Sequence, residues 1–290
     1  MLEVVLNPMS GDEGRGPRVA YLRELRGRDE LDLADLDPAS LSEMLSGLLV
    51  DVPGAAFGPG RLDTASVGDR DLLVAALYAR CFGDAVESQL RCTACGDVFE
   101  VRFSLAEEIA TATRAAADVA QREPAAGPDG EGFYRLPSGV AFRVPTVADE
   151  RELRAVPAEQ RRQALLARCV RTGRAGSGAR AGGEASADAG GVLDVTAVER
   201  AMAARDPGAS PEIAVPCALC GAPQSIELDI VEFFLAAVAR ETPILAREIH
   251  ALASAYRWSF QEIAGLSRRQ RHAQVELVEL EREAAGGALS

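Results

Sequence analysis

The chain has 290 residues, 48% of them hydrophobic, and a net charge of −13. That is enough for one sizeable core or two modest ones without disulfide staples, and no apolar run approaches the roughly 20 residues that span a bilayer. All 31 basic residues are arginine, and so acidic a chain repels a phosphate backbone, which makes nucleic acid a poor first partner. The amino terminus "MLEVVLNPMSGDEGRG" lacks a basic start followed by an apolar core, so the expectation is a cytoplasmic protein with no membrane contact.

Residues 1–90 read as a mostly helical region. The run "LEVVL" has strand character, a Gly-rich turn follows, and "RVAYLRELRGRDEL" is expected to present an exposed face of arginine and acid. Over 35–49 the pattern is helical, with Asp37 as N-cap and Pro38 in the first turn, and "VPGAAFGPG" ends it. The strongest helix of this half covers 66–83: Ser66 can cap it, Leu73, Leu77 and Cys81 recur at i, i+4 and i+8, and Gly83 stands where a terminating glycine belongs.

That helix leads into "LRCTACGDVFEVRF", in which Cys92 and Cys95 precede a glycine and an alternating strand. The same order returns downstream in "VPCALCGAPQSIELDIVEFF" with Cys217 and Cys220. Phe99, Val101 and Phe103 share a face in the first copy, and Ile226, Leu228 and Ile230 are expected to do so in the second. Each copy then runs into an acidic, apolar helix start. Two CxxCG knuckles present four thiolates suited to tetrahedral zinc, with the glycine closing each turn. A thioredoxin-like dithiol would instead sit at a helix N-terminus in a βαβ unit, whereas a strand follows each pair here. The 121 residues between Cys95 and Cys217 far exceed the roughly 15–20 of a compact zinc ribbon, so the ribbon is split around an insert. A closed set of four cysteines is structural rather than catalytic, because it leaves no position for water. Cys81 and Cys169 lie in helical patterns where buried free thiols are ordinary.

The insert, 104–213, opens on a helix, "SLAEEIATATRAAADVAQRE", followed by a hairpin turning at Pro137, Ser138 and Gly139. The segments "VADERELRAV" and "PAEQRRQALLARCVR" read as helices. Residues 172–191 form a low-complexity tract with little to bury, expected to be mobile, and a short helix over 194–204 returns the chain to the second knuckle. The last region, 232–290, reads as three helices. Thr242 and Pro243 form an N-cap and first-turn pair, Ser259 and Glu262 a capping box stapled by Trp258 and Ile263, and Ser267 and Gln270 a second box.

Reactive groups are sparse. His250 and His272 have no nucleophile near them in sequence, there is no lysine, and "GRAGSGARAGG" lacks both the lysine and the strand-to-helix setting of a phosphate loop. No enzyme activity and no small-molecule substrate are expected. The segment "WSFQEIAGLSRRQRH" has the outline of a helix-turn-helix, but its turn is tighter than usual, and Arg268, Arg269 and Arg271 equally suit a solvated face or an acidic partner.

Taken in order, "VGDRDLLVAALYARCFGD", "LRCTACGDVFEVRFSL", "FRVPTVADE", "VPCALCGAPQSIELDIVEFF" and "EIHALASAYRWSFQEIAGLSRRQRHAQVELV" resemble the base plate proteins of T-even-like contractile phage tails and their counterparts in contractile injection systems. The resemblance covers most of the chain. It implies a non-enzymatic part or assembly factor of the base plate hub, with other base plate or tail proteins as partners. It carries over no catalytic residue, only Cys92, Cys95, Cys217 and Cys220 as ligands of structural Zn2+. The competing reading is a zinc-ribbon adaptor acting in transcription or on RNA. The expected fold is α+β and mainly helical. A split four-cysteine zinc ribbon (91–103 with 214–231) carries an inserted α/β subdomain (104–213) and joins the N-terminal region (1–90) to a C-terminal three-helix module (232–290). Tyr256, Trp258, Arg268 and Arg269 are the expected partner-binding residues, unless the aromatics pack the module's own core.

Overall fold

The computed structural model describes residues 1–7, 17–38, 40–122, 125–171, 193–208 and 212–287. The chain is a mixture of helices and small antiparallel sheets, with helix predominating. Strand β1 (Leu2–Val5) pairs with β2 (Val19–Leu22), placing Val4, Ala20 and Leu22 inward. Beyond β2 the expected exposed face of arginine and acid turns inward instead. In α1 (Gly27–Ala34) both Asp29 and Glu30 are buried. Arg23 holds Asp29 through two bonds of 2.5 and 2.9 Å, and Arg268 and Arg271 reach Glu30 from the far end of the chain. Helix α2 (Leu41–Leu48) begins later than the Asp37–Pro38 pair predicts. The Asp37 carboxylate accepts from the Ser40 amide at 3.1 Å and hydroxyl at 3.0 Å, closing a turn ahead of the helix. Helix α3 (Val67–Phe82) follows its sequence pattern. The Ser66 hydroxyl accepts from the Asp69 amide at 3.0 Å, and Gly83 ends the helix at φ +87°.

A strand precedes each cysteine pair as well as following it. Strands β3 (Ala85–Arg91) and β4 (Val98–Ser104) form the first hairpin, and α4 (Leu105–Arg122) leaves it. In the insert, β5 (Tyr134–Arg135) and β6 (Ala141–Phe142) turn at 137–139 with Gly139 at φ +85°. Helix α5 (Val147–Leu153) carries a Thr146–Asp149 capping box, and α6 (Ala158–Cys169) runs directly into β7 (Val170–Arg171), a third strand against β6. The 172–191 tract lies outside the described residues. Helix α7 (Val195–Arg205) is capped by Asp194. Tyr134, Phe142, Cys169, Val198, Ala201 and Met202 give the insert a small core of its own.

Strands β8 (Glu212–Pro216) and β9 (Pro223–Glu227) form the second hairpin. Because β9 stops at Glu227, Leu228 and Ile230 do not share a strand face with Ile226. Leu228 lies in the connection, Ile230 opens α8 (Ile230–Tyr256), and both enter the main core. Asp229 caps α8 by accepting from the amides of Val231 and Glu232, each at 3.0 Å. No new helix begins at Thr242. Helix α8 continues through Pro243, and the Thr242 hydroxyl turns back onto the Val238 carbonyl at 3.4 Å. Proline removes one helical hydrogen bond, a cost of about 3 kcal/mol, but here it lies on the exposed side while Phe234, Val238, Leu245 and Leu252 are buried to either side of it. Helices α9 (Phe260–Ala264) and α10 (Arg268–Gly287) follow, both opened by the capping boxes read from sequence.

The main core joins Leu22, Leu41 and Leu73 to Ile230, Phe234 and Val238. Helix α8 is therefore a spine: its first part belongs to the main core with the first ninety residues, and Leu252 further along joins Ile263 and Val278 in a separate cluster of the C-terminal helices.

Candidate metal centre

The two cysteine pairs occupy the loops of the two hairpins, and the loops repeat each other bond for bond. In the first, the Cys92 amide donates to the Asp97 carbonyl at 2.8 Å and the Gly96 amide to the Cys92 carbonyl at 3.0 Å. In the second, the Cys217 amide donates to Ala222 and the Gly221 amide to Cys217, both at 2.9 Å. Gly96 and Gly221 stand at φ +79° and +75°, a left-handed geometry that a side chain would strain. In each pair the first cysteine is buried and the second exposed. Behind the loops the hairpins face one another, with Leu90, Phe99 and Val101 on one side and Val215, Ala222 and Ile226 on the other.

This packing brings all four Sγ atoms within 4.8 Å of one another. Cys92 and Cys220 approach to 3.7 Å across the hairpins, and Cys95 and Cys217 to 4.0 Å. A tetrahedron with metal–sulfur bonds of about 2.3 Å has edges of about 3.8 Å, so the four sulfurs already stand near the corners of such a site. Backbone amides support them: those of Ala94 and Cys95 point at Cys92 Sγ from 3.3 and 3.5 Å, and that of Leu219 at Cys217 Sγ from 3.4 Å. The Cys95 amide, then that of Ala94, holds the Cys92 thiol down at about 6 against its burial. At Cys95 the Asp97 amide favours the thiolate, yet burial and the crowding of the other three sulfurs push it up to about 12. Four sulfurs held this close repel one another as thiolates, and a divalent cation at their centre would remove that repulsion.

Gln224, which no motif in the sequence singles out, ties the knuckles together. Its buried side-chain oxygen accepts from the Thr93 amide at 2.9 Å and the Thr93 hydroxyl at 3.0 Å, and its amide donates to the Pro223 carbonyl at 2.8 Å. Its only sequence signal was an inward position in the strand after the second pair.

The expected partner residues lie outside the cysteine cluster. The rings of Tyr256 and Trp258 meet at 5.0 Å, tilted by 33°, and pack half-buried against Leu252, Ile263 and Val278, while Phe260 is exposed. Arg268 is drawn inward to Glu30 and Glu241 and lies over the Phe82 ring at 4.8 Å. Arg269 is exposed on a groove shared with Glu24, Arg80 and His272. His250 is exposed, and His272 lies 2.8 Å from Glu248. Among the described residues no helix is long and apolar enough to cross a membrane. Compared with family models, characterised proteins and solved structures, the chain has no significant match.

Proposed function

We propose that this protein is a non-enzymatic structural or assembly component of the base plate of a contractile phage-tail-like particle. It works through protein–protein contacts on a scaffold pinned by one zinc ion. The observation that carries the scaffold reading is the meeting of four sulfurs from two hairpins whose cysteine pairs are 121 residues apart in sequence. Two matching knuckles around a closed four-sulfur set read as a split zinc ribbon, and a filled tetrahedron leaves no position for water or substrate, so the metal acts on folding. The ordered motifs that resemble base plate proteins support the place of work, in the cytoplasm where such particles assemble.

Two measurements test the two halves of the reading. Elemental analysis of purified protein should give one zinc per chain, and Cys92→Ser and Cys217→Ser should each abolish it. A coloured protein carrying iron would replace zinc, and full metal content in either variant would show that the knuckles do not share an ion. A tagged chain, expressed in cells assembling a contractile particle, should co-purify with base plate proteins, and deleting its gene should stop base plates forming. Normal particles in the deletion strain would refute the assignment.

A further inference from the structure

The first hairpin has a defect in its apolar inner face. Along that face Val86 pairs with Phe103, Ser88 with Val101, and Leu90 with Phe99. Ser88 is the one small polar side chain among six inward positions, and opposite it stands Phe233 of α8. The missing volume opens a cleft of about 340 Å³ between the hairpin and the start of α8, floored by half-buried Leu90, Phe103, Ile226 and Phe233. Its rim is acidic. Glu227, Asp229 and Glu232 line it, and the adjoining hollow that shares Ser88, Val101 and Phe233 adds Glu87 and Glu100. Asp229 is engaged as the α8 cap and Glu87 meets Arg102 at 3.3 Å, but Glu100, Glu227 and Glu232 form no ion pair among the described residues. Arg240 is the one further base on this rim.

We infer that this cleft is a docking site for a short basic segment of a partner protein, with one apolar side chain seated over Ser88 and flanking arginines or lysines on Glu227 and Glu232. Charge complementarity selects that occupant. The free carboxylates of Glu227 and Glu232 beside an apolar floor repel an acidic segment and favour a cationic one, while the floor rewards an aliphatic or aromatic anchor. The inner face from Val86 to Leu90 is about 13 Å long at 3.3 Å per residue, which suits four or five extended residues. The site is independent of the particle assignment, since it follows from the hairpin and α8 alone.

The test uses the full zinc-loaded chain and a labelled peptide, Gly-Arg-Ile-Arg-Leu-Arg-Gly, with a glutamate-for-arginine version as control, read by fluorescence anisotropy. The arginine peptide should bind saturably and the glutamate peptide should not. Ser88→Leu, which fills the dent, and the pair Glu227→Gln with Glu232→Gln should each weaken binding at least tenfold while zinc content and circular dichroism stay unchanged. The pair Glu276→Gln with Glu279→Gln, on α10, should leave binding intact. Equal loss in the α10 pair would reduce the effect to net charge and overturn the proposal, as would wild-type binding by Ser88→Leu. Should sedimentation reveal a dimer that Ser88→Leu dissociates, a second copy fills the cleft and the proposal also fails.

Discussion

Arg271 is the largest fully buried side chain among the described residues, and its surroundings explain how a guanidinium is tolerated there. It donates to Glu30 at 2.7 Å, to Glu248 at 2.9 Å and to the Leu266 carbonyl at 3.1 Å, so α1, α8 and the start of α10 meet on one cation. Removing it takes the buried cation from between two buried carboxylates, leaving Glu30 to Arg268 and Glu248 to His272. Arg271→Met is therefore expected to lower unfolding free energy by about 3–5 kcal/mol in urea titration, far more than Arg269→Met at the neighbouring exposed position. Asp149 offers a pH-dependent counterpart. Burial alone would raise its carboxyl, but Arg143 at 2.5 and 2.7 Å and the Thr146 amide and hydroxyl hold it at about 2, below its ordinary 3.8. A depressed carboxyl stabilises the fold fully above its unfolded value and loses that contribution as pH falls toward the folded one. Stability of about 2 kcal/mol should therefore fade between about pH 5 and pH 2. In Asp149→Asn that part of the acid slope should be missing when melting is followed against pH; an unchanged slope would mean the pair contributes nothing.

At the scale of elements, local chemistry predicted the helix starts at three serine caps, although not at Asp37 and Pro38. Ser66, Ser259 and Ser267 all open helices as their spacing indicates, because each cap needs only residues three positions away. Thr242 and Pro243 carry the same local signal and it is overridden, since burial on both sides of Pro243 holds α8 continuous. Pro243→Ala should accordingly keep the helix and raise stability by about 1–3 kcal/mol, measured as a higher melting temperature. A lower melting temperature would show that the proline is needed for the path of α8. The strand before the first cysteine pair is hidden in the sequence for a different reason. The stretch "AVESQLR" carries Ser88 at the inward position where alternation calls for an apolar residue, and only pairing with β4 makes it a strand. The residue that hides the strand is the one that opens the cleft.

For the whole molecule, the small apolar cluster behind the cysteines is distinct from the main core that α8 organises, although Val215 and Ile226 border both. Metal removal should therefore act locally. With a chelator present, amide exchange should speed up across β3, β4, β8 and β9, while α3 and the first half of α8 remain protected. Uniform loss of protection would mean that the cysteine cluster and the main core unfold as one unit. The insert, with its own core and a return path that ends at the second knuckle, should respond in between.

What the sequence by itself determined was chemistry that repeats or acts at short range: four cysteines in two like knuckles, three serine caps, the glycines that close turns, and a mainly helical chain with short strands. Their signals survive without a fold because the interacting groups are a few residues apart or recur in the same order. Only the tertiary structure decided where the charges and surfaces lie. Glu30 and Arg271 look like solvent-facing residues in a charged run until a contact 241 positions long buries both. The three arginines over 268–271 then divide into one fully buried, one half-buried and one exposed. The knuckles predict a shared ion, but only the facing hairpins bring their sulfurs together, because packing across 121 residues is a property of the core rather than of either motif.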